Sequence, residues 1–257
     1  VPYVPRNADG LNPTYFLEWP DDVRMFALTF ETRLKGATAF GELSYRPNQP
    51  LQFNAADLLN AVATNAGPTQ LRDRVNALPP GGVLTGFERH KAVQLQLGAV
   101  GQVPGVLGAA ALNWGAEGVF KSIPDLPDPT VLRFGRSDLF GQGHVNGVCP
   151  PPAVATQCTT DGYVSRNAWG IRTVVGLRYA NAFEGVDLIP SMLYGRDISG
   201  WSGDGAILQG RNLAALSLRA NFRNGFVGDI AWVPTWGGTY NNQRDRSAVA
   251  LYIGQRF

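Results

Sequence analysis

The chain has 257 residues, a formal net charge of +2 and 44% hydrophobic residues. No apolar run is long enough for a membrane-spanning helix, and no basic run offers the electrostatic footprint of a nucleic-acid partner. Glycine is abundant, with 31 residues, whereas lysine occurs only at Lys35, Lys91 and Lys121. Because glycine is a poor helix former and lysine a good one, the composition disfavours a long helical bundle.

Apolar and polar residues alternate along most of the chain. In residues 249–257, for example, Val249, Leu251 and Ile253 occupy every second position. A period of two predicts a β-strand with one apolar face. The alternation predicts nine strands, at residues 23–35, 38–46, 88–100, 107–120, 167–179, 186–197, 212–223, 226–234 and 249–257. A helical pattern also predicts a short helix at residues 55–63.

The predicted strands are long, and their connections alternate between short and long. Strands of about 9–13 residues match the length that a tilted strand needs to cross hydrocarbon. The long connections include residues 47–86 and 121–165, which we predict to be external loops. We therefore predict an all-β fold, a transmembrane antiparallel β-barrel whose single domain spans residues 1–257 and whose partner is the lipid bilayer. A soluble β-sandwich is the alternative.

Charged residues fall on the strand face opposite the apolar one. A charge that faced the middle of a bilayer would cost about 2–4 kcal/mol for Arg or Lys, so lipid favours this segregation. We predict that these residues line a water-filled lumen, although they could instead pair across strands and fill the interior. They are Glu31, Arg33, Glu42, Arg46, Glu117, Arg172, Arg178, Asp187, Arg219, Asp229 and Arg256.

Several features do not fit a closed barrel of nine regular strands. An odd strand number leaves a bacterial barrel incomplete, so we predict a larger barrel completed by an N-terminal segment or a second chain. Pro190 lies inside the sixth predicted strand and predicts a bulge or a missing hydrogen bond there. Arg89 and Lys91 fall on the nominally apolar face, and we place them above the outer rim.

Few residues suggest catalysis or metal binding. Cys149 and Cys158 are the only cysteines; we predict a disulfide between them, with a reduced pair as the alternative. His90 and His144 have no Gly-x-Ser-x-Gly motif beside them, so we predict surface histidines and no enzyme. No metal site and no cofactor are predicted. Gly203-Asp204-Gly205 predicts a turn.

Four segments resemble a known protein family. They are YFLEWPDDVR at residues 15–24, GELSYRPNQPLQ at 41–52, LIPS at 188–191 and GRNL at 210–213. Together with the terminal strand they are similar to the proteobacterial family known as domain of unknown function thirteen hundred and two. The resemblance covers nearly the whole chain but only the C-terminal part of a typical, much longer member. It implies an outer-membrane barrel that is a route for hydrophobic molecules, and it supplies no catalytic residues.

Two functions remain open at this point. The first is a channel or transporter in the bacterial outer membrane, for hydrophobic or small solutes. The second is a structural or assembly protein that anchors partners through its external loops, where Trp201, Trp236 and Tyr240 are candidate contacts. We expect these loop aromatics to pack against one another instead.

Overall fold

The computed structural model of the chain describes residues 14–62, 68–149 and 157–255. Its strands form one antiparallel sheet of ten strands, which confirms the predicted all-β class. Two short helices, α1 (Ala55–Val62) and α2 (Arg72–Asn76), lie in one connection. None of the helices within these residues is long and apolar enough to cross a membrane.

Nearly all strands pair with their neighbours in sequence. The strands are β1 Phe26–Leu34, β2 Ala37–Gln52, β3 Phe87–Pro104, β4 Ala111–Ser122, β5 Asn167–Phe183, β6 Val186–Ser199, β7 Arg211–Phe222, β8 Phe226–Val233, β9 Thr235–Gly237 and β10 Ala248–Gln255. Their order is β1-β2-β3-β4-β5-β6-β7-β8-β10, and β9 pairs with β7. Within the described residues β1 and β10 each pair on one side only, so the sheet is open. An open sheet is compatible with part of a larger barrel.

The predicted strands are all present, but one short strand was missed and several boundaries were wrong, among them the end of β2 and the start of β4. β2 continues past Arg46 to Gln52 across a register shift, although Pro47 and Pro50 read as strand breakers. β4 begins at Ala111 rather than at residue 107, because Leu107 has a positive φ of 52° in the wide turn that follows β3. β9 was missed, since its three residues follow a proline in a segment rich in glycine and asparagine.

The register shift in β2 changes which side chains point to each face. Arg46 pairs with Ala92 and Gln49 with His90, so the two intervening residues of β2 oppose one residue of β3. Such a bulge reverses the alternation beyond it. Leu51 therefore turns to the face that carries Arg46, where it is buried.

Pro190 interrupts the sheet on one side, as predicted. The β5–β6 register records Gly176 opposite Ser191 and Tyr179 opposite Leu188, with no pairs between them. On the other side, Pro190 lies opposite Leu218 in an unbroken β6–β7 register. Because proline lacks the N–H group, the ladder is lost only where that donor was needed.

One face of the sheet is apolar and open to its surroundings. Leu28, in β1, is 73% exposed and Leu251, in β10, is 72% exposed. Exposed apolar side chains also lie on the strands between them: Leu43, Leu97, Phe120, Val175, Met192, Leu216, Leu218 and Ile230. Within the described residues nothing covers this face.

The hydrophobic core does not lie against the apolar face of the sheet. It is formed at one end of the sheet by the described parts of residues 53–86, 123–166 and 200–210, which we call the cap. The helices α1 and α2 belong to it. Its buried apolar cluster consists of Leu51, Phe53, Ala61, Leu71, Ile123, Leu126, Leu132, Phe134 and Val164. The short turns lie at the opposite end, for example Asn224-Gly225, where Gly225 has a φ of 86°.

Candidate functional site

The sheet register brings the predicted lumen-facing charges onto one face. Glu117 lies directly opposite Arg172, and Arg219 lies directly opposite Asp229. Residues directly opposite in an antiparallel pair share a face. Counting along each strand from such pairs places the following residues on that polar face: Glu31, Arg33, Glu42, Arg46, Glu117, Arg172, Arg178, Asp187, Arg219 and Asp229. Arg256 lies outside the described residues.

Between β3 and β8 the charges of the polar face are paired across strands. Arg178 Nη2 donates to Asp187 Oδ2 at 2.9 Å, and Arg219 Nε donates to Asp229 Oδ2 at 2.8 Å. Gln96 Nε2, in β3, donates to Glu117 Oε2 at 2.7 Å. These contacts lie on a partly exposed surface, where single ion pairs contribute about 0–1 kcal/mol. Their main effect is to fix side-chain positions along the wall.

Asp197 is a stronger anchor at the cap end of this face. Its side chain is 0% exposed and accepts from Arg172 Nη2 at 2.5 Å and from Arg211 Nε at 2.6 Å. The backbone N–H of Leu208 donates at 2.9 Å to Asp197 Oδ2, the oxygen that also accepts from Arg211. One carboxylate thus joins β5, β6, β7 and the loop of residues 200–210. No pattern in the sequence predicted this cluster, because its members come from different strands.

The β1 and β2 part of the polar face is different. Among the described residues, no hydrogen bond or ion pair engages the side chains of Glu31, Arg33, Glu42 and Arg46. The first two are exposed and the other two are half-buried. Free charges of both signs therefore line the wall next to the open β1 edge.

A cavity of about 310 Å³ lies where the polar face meets the cap. Its wall carries Arg46 and Gln94 from the sheet and Lys121 at the end of β4. The apolar part of its lining comes from Pro50, Leu51, Ala92, Ile123 and Ala168. The lining is completed by Gln49, Val93, Ser122, Ser165 and the turn at residues 202–204, which lies against Leu51.

The turn at Gly203-Asp204-Gly205, which the sequence predicted, is tied to the sheet. Lys121 Nζ contacts Asp204 Oδ2, and Ser202 Oγ donates to Asp204 Oδ1 at 2.6 Å. Burial raises the pKa of Asp204, but the hydrogen bonds from Lys121 and Ser202 outweigh it and the pKa is lowered overall. The carboxylate form is therefore favoured, and with it the contact between the turn and β4.

A buried ion pair holds the cap together. Arg133 Nε donates to Asp57 Oδ2 at 2.6 Å, and the two side chains are 0% and 2% exposed. Arg133 also donates to the backbone carbonyls of Gly143 and His144, while Gln142 Nε2 donates to Asp57 Oδ1. All charges of this pair are satisfied by hydrogen bonds, which buried ion pairs require.

A second arginine, Arg136, joins three segments of the cap. Its guanidinium donates to the carbonyls of residues 140, 157, 159 and 161. It also lies 4.8 Å from the ring centre of Tyr163 and 4.9 Å from that of Tyr240. Burial lowers the pKa of Arg136 and raises the pKa of Tyr163. The hydroxyl of Tyr163 is therefore kept in its neutral form. The face of its ring packs against the guanidinium of Arg136.

The disulfide predicted between Cys149 and Cys158 is present, with a Cα–Cα distance of 5.4 Å. Two of the loop aromatics pack together as expected, since the rings of Trp201 and Tyr240 meet edge to face at 5.9 Å. Trp236 packs separately against Tyr194, at 6.4 Å.

The prediction of surface histidines was wrong for His90. It is 8% exposed and packs edge to face on Phe134 at 4.9 Å. The cap explains the error, because its residue Phe134 covers the imidazole of His90. His144 is half-buried. In residues 14–62, 68–149 and 157–255, no group of three or more His, Cys, Asp or Glu side chains could hold a metal ion.

Comparison with known protein families gives a match over residues 1–257, to the family described as Protein of unknown function (DUF1302). The chain belongs to this family. The match confirms the resemblance seen in the sequence. No curated protein and no solved structure matches the chain.

Proposed function

We propose that this chain is part of a β-barrel of the bacterial outer membrane that forms a channel or transporter for small or hydrophobic solutes. The observation that carries the proposal is the apolar face, which is exposed on every long strand. Soluble monomers rarely expose apolar patches larger than a few hundred Å². In contact with acyl chains, such a face would avoid the unfavourable free energy of exposing apolar surface to water.

The aromatic residues of the apolar face support a membrane of ordinary thickness. Trp169 and Tyr179 are ten residues apart in β5, which is about 33 Å along a strand. A tilt of about 40° reduces that span to about 25 Å, the height of the apolar band of outer-membrane barrels. Other aromatics fall near the same two levels: Tyr45, Phe120, Tyr194 and Trp232 toward the cap, and Phe222 and Phe226 toward the short turns.

The polar face supports a wet interior. In a closed barrel this face would enclose the lumen, and charges of both signs would set the field that a solute meets. Because lipid offers no hydrogen bonds, β1 and β10 need further strands beside them. We propose that an N-terminal segment or a second chain supplies those strands.

The cap favours a second candidate function. Its buried ion pair and its disulfide make it an ordered surface at one end of the barrel. A barrel that is sealed by this cap would anchor partners in the outer membrane instead of conducting solutes.

Conductance separates the two functions. We would purify the full-length protein in detergent and incorporate it into planar lipid bilayers. Stepwise currents that depend on the charge of the solute are the expected result for a channel, whereas a sealed anchor gives none. A protein that is folded and monodisperse without detergent would contradict both.

A further inference from the structure

We propose that the cavity beneath the cap binds a small amphipathic monocarboxylate, with the carboxylate on Arg46 and the apolar body against the cap. The proposal deepens the proposed channel function, since it names a solute class and a site on the polar face.

The charges of the cavity leave one cation available. Lys121 is occupied by Asp204, but Arg46 makes no hydrogen bond or ion pair to any described residue, and neither does the amide of Gln94. Gln94 lies directly opposite Lys121 and next to Arg46 on the polar face. A guanidinium presents a planar pair of donors that matches a carboxylate. The site therefore favours a single negative charge.

The remaining lining has a polar part, formed by Gln49, Ser122, Ser165 and the turn at residues 202–204, and an apolar part. The apolar part indicates the rest of the ligand. Leu51 and Ile123 are 5% and 8% exposed and continue into the core of the cap. Ala168, at 1%, forms part of the lining where β5 begins. Because the protein already buries these side chains, the gain comes from removing the alkyl chain's own apolar surface from water, and an ion such as phosphate has no such surface.

The volume indicates how much of a ligand the half-open cavity can hold. At about 30 Å³ for each molecule of liquid water, the cavity of 310 Å³ has room for about ten non-hydrogen atoms. Octanoate is of that size. A phospholipid or lipopolysaccharide is far larger, so we commit to a free carboxylate of medium chain length.

The test is calorimetric titration of sodium octanoate into the full-length protein in detergent micelles. The Arg46→Gln variant should bind octanoate about tenfold or more weakly, because it removes a charge-assisted hydrogen bond. Arg33→Gln is the matched control, since Arg33 is on the same face, is also unpaired, and lies outside the cavity. It should bind as the natural protein does. Partition into micelles is the same for all three proteins.

Two further probes define the ligand class. Octanol, which lacks the charge, and inorganic phosphate, which lacks the alkyl chain, should each bind at least about tenfold more weakly than octanoate. Equal binding of octanoate by Arg46→Gln and the natural protein would overturn the proposal, as would tight binding of phosphate or no binding of octanoate. A gel shift on heating verifies that each variant is folded.

The titration needs no current through the barrel. A protein that binds octanoate but does not conduct would contradict the channel and leave the site in place. A protein that conducts but does not bind octanoate would contradict the site alone.

Discussion

Arg133 is the largest fully buried side chain among the described residues. Charged side chains are almost never fully buried unless they are paired. Here the pairing spans 76 positions in the sequence, from Asp57 to Arg133, and it fixes α1 to the loop that follows β4. This contact therefore links two distant segments of the cap, beside its apolar cluster and the hydrogen bonds of Arg136.

Replacing Arg133 with Met should loosen the cap. The change leaves Asp57 as an uncompensated buried charge, which typically costs about 3–5 kcal/mol. Hydrogen exchange of the cap amides should accelerate accordingly. The control is Arg24→Met, because the pair that Arg24 forms with Asp22 is exposed on both sides and such pairs contribute about 0–1 kcal/mol. Equal exchange rates of the cap amides in the two variants would show that the buried ion pair stabilises the cap no more than the exposed pair does.

Acid should release the turn that carries Asp204. The folded pKa of this carboxyl is below its ordinary value of 3.8. Its contribution to docking is therefore fully present above that value and is lost as the pH falls through the lower, folded value. Hydrogen exchange of residues 200–210 in acid should rise for the natural protein. In Asp204→Asn the same region should lack this pH-dependent component; an identical rise in both proteins would exclude Asp204 as its cause.

At this scale the sequence predicted the polar face well and the anchors poorly. Glu117, Arg172 and Arg219 follow a period of two that any strand imposes, so their common face could be read directly. Asp197 and Arg211 also lie on or beside strands, but their burial comes from the way a loop folds over them. Such a contact leaves no periodic signal.

The nine long strands were predictable in place, but the short β9 and the ends of the strands were not. β2 and β3 extend beyond the predicted alternating segments into the cap, where the bulge after Arg46 interrupts the alternation of apolar and polar residues. Proline normally signals the end of a strand, and here Pro47 and Pro50 lie at and beyond the bulge instead. The end of an element depends on its neighbours, which the sequence does not display.

A charge on the apolar face should be much less tolerated than one on the polar face. Leu218→Arg places a cation in the middle of the exposed face of β7 and should cost about 2–4 kcal/mol of stability in a bilayer. Ser217→Arg, at the adjacent position on the opposite face, should cost much less. Reversible unfolding by guanidinium in lipid vesicles measures both. Similar costs would mean that the two faces meet similar surroundings.

Within the described residues the sheet is open, and its edge strands β1 and β10 each have one side without a hydrogen-bonded neighbour. Half of the amides of β1 point away from β2, since an antiparallel strand alternates the direction of its N–H groups. In the full-length protein in vesicles, all amides of Phe26–Leu34 should be protected from exchange. Protection of only every second amide would mean that this edge has no partner.

The apolar residues are divided between the enclosed cluster of the cap and the exposed face of the sheet. In the proposed barrel, water would surround the cap and lipid would surround the sheet. Water drives Leu51, Phe53 and Phe134 together, and that drive weakens on cooling. In the proposed barrel, acyl chains would give the outward-facing leucines no such preference for protein over lipid, and backbone hydrogen bonds would hold that region instead. We therefore expect that a single melting temperature does not describe the proposed barrel.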